Sequence, residues 1–403
     1  MQEVLLTSIN MLLYASILIY SYRKYQNISP VLLIPFIWFI SSLFSIFYIQ
    51  SEIRWESIHK TTLFPFIYLF SVFLLTYWPL LNINPKEIVI DESKLVERIS
   101  LLLSIIAIIP FMENFYKIFI SGSSMINLAE NYENRGDINF DLRSHMSFIG
   151  SKLNSILMFM QHITPILLFN YLSKSGKIKL YVIIGLICAV FNTAIFSFNL
   201  GSRGVTFNLL LYVCFLFLLY KDYIRKEYLK AITVLGSILC GILILVLFYI
   251  TIGRFNNTDY SILDWIYRYA GESFVNFNND LYHINNYTHG ENTFSFIFND
   301  GHRDIYNLSK TTGVRAYVYY TYIGDFYMDF GPYLTIILVA SLSVLFYRFI
   351  KKRRQLNLGS IIVYSLYSMI MLLSTNCFYF INRGIIYGSF ALMIGVWYSS
   401  KKK

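Results

Sequence analysis

Charge is scarce in this chain. Asp, Glu, Lys and Arg make up 14% of its 403 residues, where a soluble domain carries about a quarter. Hydrophobic residues reach 56% and mean hydropathy is +0.53. That balance excludes a soluble fold with one anchor and reads as a polytopic membrane protein. Cysteine is scarce too. Cys188, Cys214, Cys240 and Cys377 each sit in an apolar stretch, with no ligand spacing between them. Neither a zinc site nor a disulfide framework follows, and the four read as small packing residues. A phosphate-binding glycine loop, a Cys/His metal set and the Asp-x-Asp of nucleotide-sugar transferases are all missing. The first apolar run is too long for a cleavable signal and lacks a basic n-region and cleavage site. The net charge of +10 is not read as nucleic-acid affinity, because Lys and Arg in such a chain mostly report topology.

What is present is apolar runs of membrane length. A spanning helix needs about 20 residues. Eleven candidates fall at 4–21, 31–50, 62–82, 99–120, 152–172, 180–199, 205–220, 231–252, 331–349, 358–379 and 384–399. No linker or internal repeat divides the chain, so residues 1–403 read as one polytopic, all-α membrane domain. One set of alternate connections carries Arg23 and Lys24; Lys86, Lys94 and Arg98; Lys174, Lys177 and Lys179; Lys221, Arg225, Lys226 and Lys230; Arg348 and Lys351 to Arg354; and Lys401 to Lys403. Each member of that set holds at least two basic residues, as cytoplasmic loops do. The expected topology puts the N-terminus outside and the C-terminus in the cytoplasm. Residues 253–330, between the eighth and ninth spans, become a large, partly helical outer loop.

The two sides differ in kind of cation. The cytoplasmic set is mostly Lys. The outer set is mostly Arg: Arg54, Arg135, Arg143, Arg203, Arg254, Arg268, Arg303, Arg315 and Arg383. Lys suffices for orientation, whereas Arg offers a planar fork that grips phosphate oxygens in pairs. An anionic ligand at the outer face is one reading; pairing with the acids of the outer loop is the other. No histidine falls on the cytoplasmic side: His59, His145, His283, His289 and His302 are outer, and His162, within the fifth span, reads as a packed side chain.

Asn199-Leu200-Gly201-Ser202-Arg203-Gly204 joins the sixth and seventh spans. Its glycines permit a tight re-entry, and the helix N-terminus that follows suits a phosphate. Gly201-Ser202-Arg203-Gly204 resembles the motif of bacterial O-antigen and capsule repeat-unit polymerases of the Wzy type. Two further stretches fit: Arg268 to Asn278, which includes Glu272 and Asn276, and Gly324 to Gly331, which includes Asp325. The plan of many spans and one large late outer loop is similar as well. An Arg followed eleven residues later by Gly, used to describe some members, is absent; those positions hold Cys214 and Asn279.

The resemblance implies a GT-C-like glycosyltransferase at the outer face of the cytoplasmic membrane. Its substrate would be an undecaprenyl-pyrophosphate-linked oligosaccharide, its surroundings the lipid bilayer. It would need no metal and no nucleotide sugar, and it would work beside a chain-length-regulating membrane protein. The residue types suit that chemistry. Arg203, Arg254 and Arg268 can stabilise charge on a diphosphate leaving group, with Arg303, Arg315, Asn276 and Asp325 as further substrate- or diphosphate-binding candidates. Glu272, with His302 second, can take a proton from an acceptor hydroxyl. Glu272 follows Arg268 by four residues, so on a helix they share a face; a plain ion pair has the same spacing. His302-Arg303-Asp304 could hold acceptor or phosphate, or be a solvated turn. A flippase and an O-antigen-ligase-type transferase are the alternatives. Transporters place ionisable residues along their spans, whereas here Glu113 and His162 are the main such residues. A ligase shares the leaving-group chemistry.

Overall fold

A computed structural model of the chain describes residues 1–26, 28–83, 87–120, 146–199, 203–255, 259–298, 303–351, 355–380 and 384–401. Among these the structure is helical, with no strand. The helices are α1 (Gln2–Tyr25), α2 (Leu33–Gln50), α3 (Leu63–Asn82), α4 (Lys94–Ile120), α5 (Phe148–Met160), α6 (Thr164–Leu172), α7 (Leu180–Asn199) and α8 (Arg203–Tyr220). They continue as α9 (Lys226–Phe255), α10 (Ile262–Asn279), α11 (Ser295–Phe298), α12 (Ile305–Thr312), α13 (Thr321–Lys351), α14 (Leu358–Leu372) and α15 (Gly384–Lys401). Among the described residues six helices are long and apolar enough to cross a membrane. They become seven if α5 and α6, bent by 75° at their junction, form one broken span. Three shorter apolar helices lie at Gly204–Tyr220, Leu358–Leu372 and Gly384–Ser400.

These helices are inside-out by the standards of a soluble protein. On α1 the buried positions include Thr7, Asn10, Tyr14 and Ser21, while Leu5, Leu12 and Ile19 are exposed. On α2, Ser41, Ser42 and Ser45 are buried while Phe36 and Phe47 are exposed. Large exposed apolar faces are unfavourable in water. In lipid they cost nothing, and small or polar residues let helices approach and bond to each other. The protein is membrane-embedded.

Gly331, within α13, has φ 70° and ψ −176° and breaks the helix there. Only glycine adopts that backbone without strain. Pro332 follows and has no N–H to continue the ladder. Thr321–Phe330 is thus a separate helix leading into the ninth apolar segment, which opens at the break where the hydropathy places it.

The chain forms two compact units. One comprises Met1–Glu87, Leu263–Leu356 and Tyr364–Ser389; the other comprises Ile88–Ile262, Asn357–Val363 and Phe390–Lys403. In the second unit, side-chain amides join three helices. Asn114 of α4 donates to Asn192 of α7 at 3.0 Å, and Asn192 donates to Asn154 of α5 at 2.7 Å. Bonds of this kind contribute about 0.6–2 kcal/mol each in lipid.

In the first unit, aromatic rings fill the space between α1, α2, α3, α10 and α13. Trp38 packs on Tyr14, Phe73, Phe274 and Tyr322 at centroid distances of 4.7–5.8 Å. Phe274 belongs to α10, so the large polar stretch is not a free loop. Residues 271–279 of α10 are all buried. The helix reaches that depth because Gly271 brings its backbone against α2, where an added Cβ would fall on the Phe44 and Ser45 backbone. Ser45 Oγ donates to the Gly271 carbonyl at 2.7 Å.

Candidate functional site

The site lies in the first unit, where α10 meets the short segment between α2 and α3. Trp265, Arg268, Glu272 and Asn276 recur at spacings of three and four, so they form one stripe of α10. Asp264 in the first turn suits the positive end of the helix dipole. The C-terminal end of α10 is stitched to residues 57–62. Asn278 accepts from the Thr62 N–H at 2.9 Å and donates to the Thr62 carbonyl at 2.7 Å. Asn279 donates to Ser57 Oγ at 3.0 Å and accepts from the Thr61 hydroxyl at 3.0 Å. Asp280 accepts from the Ile58 N–H at 3.1 Å. The polar run Asn278-Asn279-Asp280 therefore replaces missing secondary structure in that segment and holds Trp55 in place.

Trp55 is the centre of the arrangement. The Arg268 guanidinium lies 4.5 Å from the Trp55 ring centroid and 5.2 Å from that of Trp265. The Arg315 guanidinium lies 5.2 Å from the same Trp55 ring. Aromatic faces attract cations, more strongly where water is excluded. Each arginine has a carboxylate. Arg268 Nε–H donates to Glu272 Oε2 at 3.1 Å, and an Arg315 terminal N–H donates to Asp280 Oδ2 at 2.7 Å. Arg315 also donates to the Glu56 carbonyl at 2.8 Å. Two cations are thus gathered within one ring's reach, against mutual repulsion, by two buried acids and one aromatic. Arg315 Nε and Trp55 Nε1 are buried and have no protein hydrogen-bond partner. Leaving such donors unpaired costs about 1–3 kcal/mol each, so this spot is suited to an acceptor-rich ligand.

Glu272 is 3% exposed. Burial pushes its carboxyl up to about 7, against the opposing pull of the Arg268 charge and hydrogen bond. The ion-pair geometry alone would place it low; burial of the carboxyl is the larger effect. A buried carboxylate tuned near neutrality beside an arginine is the pattern of a group that exchanges protons at working pH.

A second polar knot holds other residues singled out in the sequence. Arg303 Nε–H donates to Asn292 Oδ1 at 2.7 Å and a terminal nitrogen lies 3.9 Å from Asp325 Oδ1. Asn292 donates to Asp325 at 3.0 Å, and the Phe378 N–H donates to the other Asp325 oxygen at 2.6 Å. Asp329 accepts from the Asn292 and Thr293 N–H groups at 3.0 and 2.8 Å. The chain around Asn376 ties the two regions. Its carbonyl accepts from Tyr320 and Thr321, and its side chain donates to the Tyr269 carbonyl at 3.1 Å. Thr321 has φ 68°, rare for a β-branched residue, and those bonds hold it there. Asn276 adds a bond to the Tyr319 carbonyl at 3.4 Å.

The structure therefore brings Arg268, Glu272 and Arg315 together, with Asn276 next along the stripe. It places Arg303 and Asp325 together in the other knot. Arg203 opens α8, Gly204 follows it, and Arg254 lies near the end of α9; the side chains of both arginines lie outside the described set. Gly201, Ser202 and His302 lie outside the described residues. Trp55, Asp280 and the segment around them were missed by the sequence reading. One signal was available. Of five tryptophans, Trp38, Trp78 and Trp397 fall inside apolar runs, and the other two, Trp55 and Trp265, are the ones that flank Arg268. No protein-family model, curated protein or solved structure matches this chain.

Proposed function

We propose that this chain is a glycosyltransferase of the repeat-unit polymerase type. It moves a growing glycan from undecaprenyl pyrophosphate onto the non-reducing end of a lipid-linked repeat unit. The place is the outer face of a bacterial cytoplasmic membrane, the scaffold a GT-C-like one of eleven spans with its C-terminus in the cytoplasm. One observation carries the reading: two arginines converge on Trp55, and one of them is paired with a buried glutamic acid.

In this scheme the arginines hold the diphosphate. The bond from the anomeric carbon to phosphate oxygen breaks, its electron pair passes to that oxygen, and Arg268 and Arg315 stabilise the charge that develops. The acceptor hydroxyl forms the new bond to the anomeric carbon, and its proton goes to the Glu272 carboxylate. Trp55 and Trp265 offer faces on which a sugar can stack.

The test is reconstitution of the purified full chain with lipid-linked repeat units as sole substrate, with a chelator and without nucleotide sugar. Polymer ladders that disappear in Arg268→Ala and Glu272→Gln support the reading. Ladders unchanged in both variants overturn the site. Glycan passed to a different acceptor identifies a ligase, and movement of intact units across the bilayer without bond formation a transporter. Topology is tested apart, by labelling single cysteines introduced at Lys24, Lys177 and Tyr306 from the outer side; only the last should react in intact cells.

A further inference from the structure

A polar cleft of about 230 Å³ opens beside the arginine–tryptophan cluster, and nothing in the scheme above uses it. Its walls come from the segment before α3, the turn after α10 and the end of α12. His59 and His283 face each other there, with ring centroids 4.3 Å apart. The His283 ring bonds to the Asn278 backbone, while its Nε2 is buried and has no partner. Asn285 and Asn286 line the opening and are exposed. Ile58, Ile284 and Val314 supply apolar surface.

The chemistry of the walls limits the occupant. No Lys or Arg lines the cleft, so it does not favour an anion. Its one acid, Asp280, is already bonded to Arg315 at 2.7 Å and to the Ile58 N–H at 3.1 Å. It therefore does not call for a cation. Among the described residues no three His, Cys, Asp or Glu side chains come together as metal ligands. What remains is a set of amides and imidazoles interleaved with small apolar faces. A sugar ring needs that mixture, with hydroxyls at its edge and C–H groups on its face. The volume equals about eight waters at ~30 Å³ each, enough for one six-membered ring.

We infer that this cleft is a sugar subsite, holding one neutral pyranose ring of the lipid-linked glycan next to the diphosphate-binding arginines. The assignment of that ring to the glycan rests on the transferase reading; the binding of a sugar does not. Asp280 joins the two places, since one of its oxygens fixes Arg315 and the residue itself forms part of the cleft wall. A ring seated there has its neighbouring groups beside Arg315.

The experiment uses the full chain in lipid nanodiscs and saturation-transfer-difference NMR. The probes are free glucose, galactose, N-acetylglucosamine, N-acetylgalactosamine and rhamnose. Two variants act on exposed positions and leave the packed core untouched: Asn286→Ala removes a hydrogen-bonding group, and Ile58→Trp fills the cleft. At least one sugar should give transfer, weakened about tenfold in each variant and retained in Arg268→Ala. The same two variants should raise KM for lipid-linked units more than they lower kcat. No transfer with any probe, or transfer unchanged in both variants, overturns the subsite. Sugar binding that behaves as expected in a protein that forms no polymer keeps the subsite and discards the polymerase. Normal KM in both variants of an active polymerase discards the glycan assignment.

Discussion

The Arg268 guanidinium lies 4.5 Å from the ring of Trp55, a residue more than 200 positions earlier in the chain. The contact depends on the bonds from Asn278, Asn279 and Asp280 to residues 57–62, which carry no helix of their own.

Trp55→Ala removes the face shared by Arg268 and Arg315. A partly desolvated cation–π contact is worth about 1–2 kcal/mol, so kcat/KM for lipid-linked units should fall about tenfold or more. Trp55→Phe keeps a ring and should recover part of the loss. Equal activity of the Ala, Phe and native proteins would remove Trp55 from the site.

Glu272 gives a pH prediction. Its carboxyl sits at about 7 in the folded protein against an ordinary value of 4.5, so the folded state holds the proton more tightly. That contribution to stability is fully present below pH 4.5 and is lost as pH rises through about 7. In the proposed role of general base Glu272 acts when ionised, so the rate should climb with pH and level off above about 7. Glu272→Gln should lower kcat by 10²–10⁴, flatten the pH dependence of melting in this window, and leave the protein at least as stable at pH 8. Melting curves across this range, set beside rates, check both halves.

Gly271→Ala tests how α10 reaches its depth. Ala is the better helix former by about 1 kcal/mol. Its Cβ, however, would fall on the Phe44 and Ser45 backbone, and overpacking against backbone costs about 1–3 kcal/mol or more. The clash should win, lowering the melting temperature in detergent. A rise would mean that α2 and α10 separate easily.

Asp329→Ala leaves the Asn292 and Thr293 N–H groups without their acceptor and the Thr288 hydroxyl with only the Met328 carbonyl at 3.3 Å. The loss should be on the order of 3 kcal/mol, concentrated in residues 288–293. Limited proteolysis should cut there first, while the interior of α1 to α3 stays protected. Unchanged cleavage would show that backbone bonds alone hold the turn.

Part of this protein was legible in one dimension. Gly331 shows why: an apolar segment starts where a glycine and a proline end the preceding helix, and both signals are local. The pairing of Arg268 with Glu272 was also readable, because spacing of four on a helix fixes neighbours. The partner of Arg315 was not. Asp280 lies 35 residues away, and nothing in the spacing links them. The burial of α10 was equally hidden. Its polar composition argued for a water-exposed loop, whereas Gly271 and the serines of α2 draw its second half into the helix packing.

The sequence by itself determined that the chain is helical and membrane-embedded, because lipid demands long apolar helices with their backbone bonds satisfied internally, and composition records that demand directly. It also determined which residue types were available for chemistry. Only the tertiary structure decided which of them meet. Loop 51–62 reaches α10 through side-chain amides rather than through any periodic pattern. The convergence of Trp55, Arg268, Glu272, Asp280 and Arg315, and the pKa that burial gives Glu272, exist only once those long-range bonds have formed.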